Sequence, residues 1–199
     1  MTNFIARVLV VLTGFVLISG SLADDRLAIP AVAAGNPNAP TKIEFYLSPT
    51  CPMCAATFRN TVLPLLGQAI KGDQLFVLIG IMPRSEADVN FARVLACVPQ
   101  EQLLPFMTHW YFYRRTGEPQ LDKLLQMGKE HGIYGTTVEQ CTSNRNDVAF
   151  LGFNQLVFVQ QGIRQTPAIF INKKHVQDVF YLWQLEELLP KIAARSEKE

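Results

Sequence analysis

Charge is scarce in this 199-residue chain: 18% of the residues are Asp, Glu, Lys or Arg, and they sum to +1. Near-neutrality offers no general electrostatic case for a nucleic-acid partner, and none is expected. Cysteine is scarce too. Four residues are too few for a disulfide scaffold of this length, so each must be explained singly. The three histidines show no metal-ligand spacing, and no metal is expected. No internal repeat or charge run is present, and a hydrophobic fraction of 49% excludes disordered and collagen-like chains. What remains is a globular chain, long enough for one domain with a core or two small ones.

The one long apolar run is at the start. Arg7 is the only charged residue before Asp24, and Val8 to Ile18 is almost unbroken hydrocarbon. The run is short of the roughly 20 residues that span a bilayer. It ends in Ser21-Leu22-Ala23, the small-x-small form that signal peptidase accepts. Residues 1–23 are therefore read as a cleaved signal peptide. Its removal takes Arg7 and leaves equal numbers of acidic and basic side chains. An exported chain resides where thiols can stay oxidised.

Residues 24–40 are read as an N-terminal arm, because 28–40 is rich in Ala, Pro, Asn and Gly without period. Thr41 to Leu47 predicts a strand and Pro52 begins a helix, with Phe58, Val62, Leu65 and Leu66 on one apolar face. Pro64 inside that pattern predicts a kink or an end. Gln74 to Ile81 reads as a strand buried on both faces, so the order implies a βαβ crossover and a parallel pair. Ser85 with Asp88 resembles a capping box opening a helix through Ala96. Further helices are predicted over 101–115, 121–130 and 148–161. Strand character returns at Ala168 to Ile171, a turn follows at 172–174, then a short return strand over 175–179 and a helix over 182–194. The fold class is α/β, with a domain formed by 41–85 and 163–199 and an inserted all-helical subdomain over 86–162.

The chemistry is concentrated in Cys51-Pro52-Met53-Cys54. Free N–H groups and the positive end of the helix dipole favour a thiolate at Cys51 and lower its pKa. Pro52 suits the first helical position. Cys54, one turn further in, can reach Cys51 but is screened by the helix and Met53. One exposed attacker and one resolving thiol are what thiol–disulfide exchange requires. Zinc uses the same spacing but needs two further ligands, and Cys97 and Cys141 stand isolated. Haem attachment needs His at position 55, which is Ala. A disulfide between i and i+3 closes too small a loop to serve stability. The second element is Thr166-Pro167, just before the Ala168 strand, where the missing N–H of Pro167 is tolerable. A cis bond there turns the Thr166 backbone toward an incoming peptide beside Cys51; an ordinary trans proline in a loop is the blander reading.

Taken together, Asn36-Pro37-Asn38-Ala39-Pro40, SPTCPMC at 48–54, the helical insertion and QTPAIFIN at 165–172 resemble the DsbA-like branch of the thioredoxin superfamily. The resemblance runs from about Gly35 to the C-terminus. It implies a thioredoxin fold with a helical insertion, dithiol–disulfide exchange with proteins in the bacterial periplasm, and no cofactor. It makes Cys51 the nucleophile, Cys54 the resolving thiol, and Thr166 with cis Pro167 the peptide platform. Unfolded or reduced secreted proteins are the partners it implies, with a membrane redox partner of the DsbB or DsbD kind.

Two departures stand out. The strongest oxidants of the family have His where this chain has Met53, which cannot hydrogen-bond a thiolate. Many relatives place a buried acid six residues before the first cysteine, but Phe45 is there and Glu44 precedes it. Glu44 takes that role only if its strand carries a bulge, which is not expected. In an oxidising compartment Cys97 and Cys141 are expected to pair, the alternative being two buried thiols. The run His109-Trp110-Tyr111-Phe112-Tyr113 reads as core plus an amphipathic rim rather than a substrate groove. The short arm favours a monomer and an oxidase over a dimeric isomerase or a reductase. A Cu(I)-binding protein without turnover, with Met53 assisting the two thiolates, is the reading from a different class.

Overall fold

Strand β2, Thr41–Leu47, shows the alternation of a sheet buried on both sides. Ile43, Phe45 and Leu47 are fully buried in the main core. Tyr46 points the other way, into a smaller cluster with Met82, Ile163, Ala168 and Phe170. Burying each large apolar side chain contributes about 2 kcal/mol, which makes the β2 register costly to shift.

The computed structural model describes residues 32–113, 120–134, 156, 159–177, 179 and 181–196. β2 pairs in parallel with β3 (Leu75–Ile81) and antiparallel with β4 (Ala168–Ile171). The edges are β1 (Val32–Gly35), antiparallel to β3, and β5 (Lys174–Val176), antiparallel to β4. The sheet order is β1-β3-β2-β4-β5. The parallel pair is the crossover that the sequence implies. The arm is more than a lead-in, since four of its residues form the edge strand. Gly35 ends that strand at φ 94°, where a Cβ would collide with the carbonyl of Leu75.

Between β2 and β3 the chain is helical throughout, in α1 (Pro52–Thr57), a π-helical turn (Phe58–Val62) and α2 (Leu63–Lys71). Pro64 neither ends nor breaks the helix. The widened turn before it, closed by Leu63 N–H on the Phe58 carbonyl, accommodates a residue that has no N–H of its own. Leu65, Leu66 and Ala69 pack on the sheet.

The inserted block contributes α3 (Glu86–Leu95), a 3-10 turn (Gln100–Gln102), α4 (Leu103–Tyr113) and α5 (Leu121–Glu130). No strand is found among its described residues. The predicted 101–115 helix therefore starts as a tighter turn, and the predicted 148–161 helix lies largely outside the described residues. In α4, Trp110 and Tyr111 are buried while Phe112 and Tyr113 form an exposed rim. The last helix, α6 (Leu182–Ser196), buries Leu185 in the main core.

The β4–β5 hairpin turns on Asn172 and Lys173, at φ 47° and 67°. Asn172 suits this left-handed backbone, and its side chain also accepts from Lys42 N–H at 2.8 Å and donates to the Pro40 carbonyl at 3.1 Å. Lys173 has no such compensation. Lys173→Gly is expected to raise stability by about 0.5 kcal/mol, relief of the strained φ outweighing the more flexible unfolded chain. A urea midpoint that rises at unchanged slope is the measurement.

Candidate active site at Cys51 and Cys54

Strand β2 delivers the chain through Ser48-Pro49-Thr50 to the start of α1. Cys51 is the N-cap, with extended backbone, and its Sγ accepts the Cys54 N–H at 3.3 Å. Pro52 follows at the first helical position. Cys54 is fully buried, and Ser48 N–H points at its Sγ from 3.4 Å. Both cysteines are free thiols.

The two sulfurs are electrostatically unequal. The Cys51 pKa falls from its ordinary 9.0 to about 6, chiefly because the Cys54 thiol donates to its sulfur. Partial burial opposes the fall, and the Cys54 N–H, the Thr166 side chain and the Met53 N–H assist it. Burial drives the Cys54 thiol strongly upward, and its role as donor to Cys51 adds to this. One sulfur is thus an anion near neutral pH while its neighbour keeps the proton.

The Thr166–Pro167 bond is cis, and the Thr166 carbonyl oxygen lies 3.5 Å from Cys51 Sγ. Thr166 and Pro167, with Met53, Gln165, Ile169, His175, Val176, Gln177 and Val179, line a cleft of about 220 Å³. Met53 is 45% exposed at its mouth, so the apolar side chain in the motif faces solvent beside the reactive sulfur. The structure therefore brings together Cys51, Pro52, Met53, Cys54, Thr166 and Pro167.

Cys97 stands apart in the helical block. It is disulfide-bonded, and Cys141 lies outside the described residues. Glu44 does not approach Cys54. β2 and β3 pair residue for residue from Thr41 to Leu47 without a bulge, so Glu44 shares the face of Tyr46, whose hydroxyl donates to it at 2.7 Å. Among the described residues no group of three or more His, Cys, Asp or Glu is arranged to hold a metal ion, and no helix is long and apolar enough to cross a membrane.

Two residues around the site, Asp88 and Trp110, have no signature in the motif. Asp88 is fully buried and accepts from Thr50 N–H at 2.7 Å, Ser48 Oγ at 2.7 Å and Arg84 N–H at 2.9 Å. Trp110 donates from Nε1 to the Pro49 carbonyl at 2.8 Å. Half of the predicted capping box is present, with Ser85 Oγ accepting the Asp88 N–H at 3.2 Å. The Asp88 carboxylate, however, is directed to the loop before Cys51, and Ser48 links it to the buried thiol.

A family model described as thioredoxin matches residues 28–190. No curated protein sequence matches the chain significantly. Three solved structures show the likeness of fold. A thioredoxin-like oxidoreductase from Silicibacter pomeroyi is 17% identical with a TM-score of 0.68, covering 88% of this chain and 98% of that one. Alpha-DsbA1 of Wolbachia pipientis is 18% identical with a TM-score of 0.70, covering 83% and 92%. A protein-disulfide isomerase from Novosphingobium aromaticivorans is 16% identical with a TM-score of 0.65, covering 83% and 97%. The family match spans most of the sequence, and a helical insertion like the one between β3 and β4 is found in DsbA structures: the chain belongs to the thioredoxin family and has the fold of its DsbA-like members.

Proposed function

We propose that this protein is an exported thiol:disulfide oxidoreductase that oxidises dithiols in secreted proteins. The observation that carries the reading is the pairing of an acidified Cys51 with a buried, protonated Cys54 beside a cleft of mixed polar and apolar lining. In the oxidised protein a substrate thiolate attacks the Cys51 sulfur, and the Cys51–Cys54 bond breaks with its electron pair going to Cys54, which takes up a proton. A second substrate thiolate then attacks the substrate sulfur of the mixed disulfide. The substrate leaves oxidised, and Cys51 departs as a thiolate that is already favourable at neutral pH. Thr166 and Pro167 form the backbone platform on which the substrate peptide lies, and Met53 offers it apolar contact.

The wider reading follows the same lines. Residues 1–23 are removed on export to the periplasm, the protein acts as a monomer, and a membrane partner of the DsbB kind reoxidises it. Residues 41–85 and 163–199 form the catalytic domain and 86–162 the insertion. Cys141 is the partner of Cys97. No further ligand is required for exchange.

Direction is the open choice between oxidase and isomerase or reductase, and a Cys51 pKa of about 6 informs it. That value falls between the ~3.5 of DsbA and the ~7 of thioredoxin, as a motif with Met53 in place of a hydrogen-bond donor should. The reduction potential of the Cys51–Cys54 couple is accordingly expected between ~−120 and ~−270 mV, and the oxidised protein should form disulfides in a reduced, unfolded substrate. A potential at or below the thioredoxin end, with insulin reduced but no substrate oxidised, would reverse the assigned direction. Inactivity in both assays with Cu(I) retained would replace the enzyme by a binding protein.

A further inference from the structure

We infer that Asp88 and Trp110, both supplied by the helical insertion, are positioning residues that fix the peptide unit before Cys51 and thereby hold the reactive sulfur in place. This deepens the exchange function proposed above and rests on it. The Pro49 carbonyl and the Thr50 N–H belong to one peptide plane. Trp110 Nε1 donates to the first at 2.8 Å, and Asp88 Oδ1 accepts from the second at 2.7 Å. A peptide gripped at both ends cannot rotate, and its orientation sets how the backbone enters Cys51. The Cys51 backbone, at φ −74° and ψ 122°, is what leaves its Sγ 3.3 Å from the Cys54 N–H. Asp88 also bonds the hydroxyl of Ser48, whose own N–H faces the Cys54 sulfur. Both cysteines are therefore placed by residues that the same carboxylate holds.

The donor set around Asp88 is selective. Thr50 N–H faces one oxygen, and Arg84 N–H with the Ser48 hydroxyl faces the other. An asparagine in either orientation would turn its amino group toward a backbone N–H, of Thr50 or of Arg84. Ser48 Oγ can turn to accept in the second orientation, but the opposed N–H groups remain in both, and the side chain is fully buried. The helix cap does not need the carboxylate, because Ser85 caps α3 through its own hydroxyl. The N–H of Trp110 has a parallel role. Its ring packs against Phe91 at 5.2 Å between centroids, so Trp110→Phe keeps an aromatic ring and removes the bond to Pro49.

The test uses Asp88→Asn and Trp110→Phe in the otherwise unchanged protein, each checked for folding by circular dichroism. The Cys51 titration is followed by thiolate absorbance, and the couple is equilibrated with glutathione. Each substitution is expected to raise the Cys51 pKa by about one unit, a tenfold loss of thiolate stabilisation. The couple should shift about tenfold toward the disulfide, about 30 mV more negative. A role confined to stability would lower the melting temperature and leave both values unchanged. An unchanged pKa in either folded variant overturns the inference, and so does a fall in Asp88→Asn, which would mean that charge rather than placement acts on the sulfur. Should Asp88→Asn not fold, Trp110→Phe decides alone. Neither readout uses a protein substrate. A wild type with an acidic Cys51 that oxidises no protein would defeat the proposed function without touching this comparison.

Discussion

Cys51→Ser is expected to abolish disulfide exchange, roughly a thousandfold or more below the unaltered protein, because a hydroxyl supplies neither the anion nor a breakable sulfur bond. Cys54→Ser should behave differently. Its Cys51 thiolate still attacks a substrate disulfide, but the buried sulfur that would release the product is gone. A mixed disulfide should accumulate, visible as a reducible mass shift on non-reducing gels. The contrast follows from exposure: Cys54 is fully buried while Cys51 is only partly covered. Trapping through Cys54 in a Cys51→Ser protein would reverse the two roles.

The second large effect is on pH. Alkylation of Cys51 in the reduced protein should rise with thiolate fraction to a plateau with its midpoint near pH 6, while Cys54 stays unreactive. Stability follows the same group. The folded pKa of about 6 lies below the ordinary 9.0, so Cys51 contributes its full stabilisation above pH 9 and loses it as pH falls to 6. A shift of that size corresponds to about 4 kcal/mol. Cys51 is partly exposed and screened by solvent, so about 2 kcal/mol is the expected change. Cys54 acts in the opposite sense: its raised pKa means that only the unfolded chain ionises there, so stability falls again above pH 9. The protein with its Cys51–Cys54 bond closed has neither thiol to titrate. Urea unfolding of the two redox forms across this range should therefore show the slope in the reduced form alone; a parallel slope in both would assign it elsewhere.

What the sequence reveals about this molecule is set by distance along the chain. The helix start at Pro52, the cysteine spacing and the strand at Ala168–Ile171 are local patterns, and each is found where expected. The apolar run at 74–81 likewise marks its strand to within a residue. The edge strand at Val32–Gly35 was hidden because Val-Ala-Ala-Gly has neither alternation nor bulk, and its order comes from pairing with β3. The π-helical turn before Pro64 satisfies a conflict that periodicity can only flag. Asp88 and Trp110 illustrate the larger limit. Asp88 stands at a capping position and Trp110 in an aromatic run, each with a sufficient local explanation. Their bonds to Thr50 and Pro49 cross 38 and 61 positions of sequence, which no motif reports. The same holds for His109 and His131, whose ring nitrogens meet at 3.1 Å although 22 positions separate them.

The contact between Cys51 and Thr166 spans 115 positions, with the whole helical block between. A chain made from its N-terminus presents its two thiols long before the proline loop that faces them exists. Pairing of β4 against β2 closes the cleft, and this is among the most distant contacts in the molecule, so loop-closure entropy delays it. During that interval the cysteines lack their cleft and the lesser assistance of the Thr166 side chain, while the larger contributions to the acidity of Cys51, from Cys54, are local. The fold thus imposes an order of events in which the dithiol comes first and the complete cleft arrives only with pairing of β4 on β2.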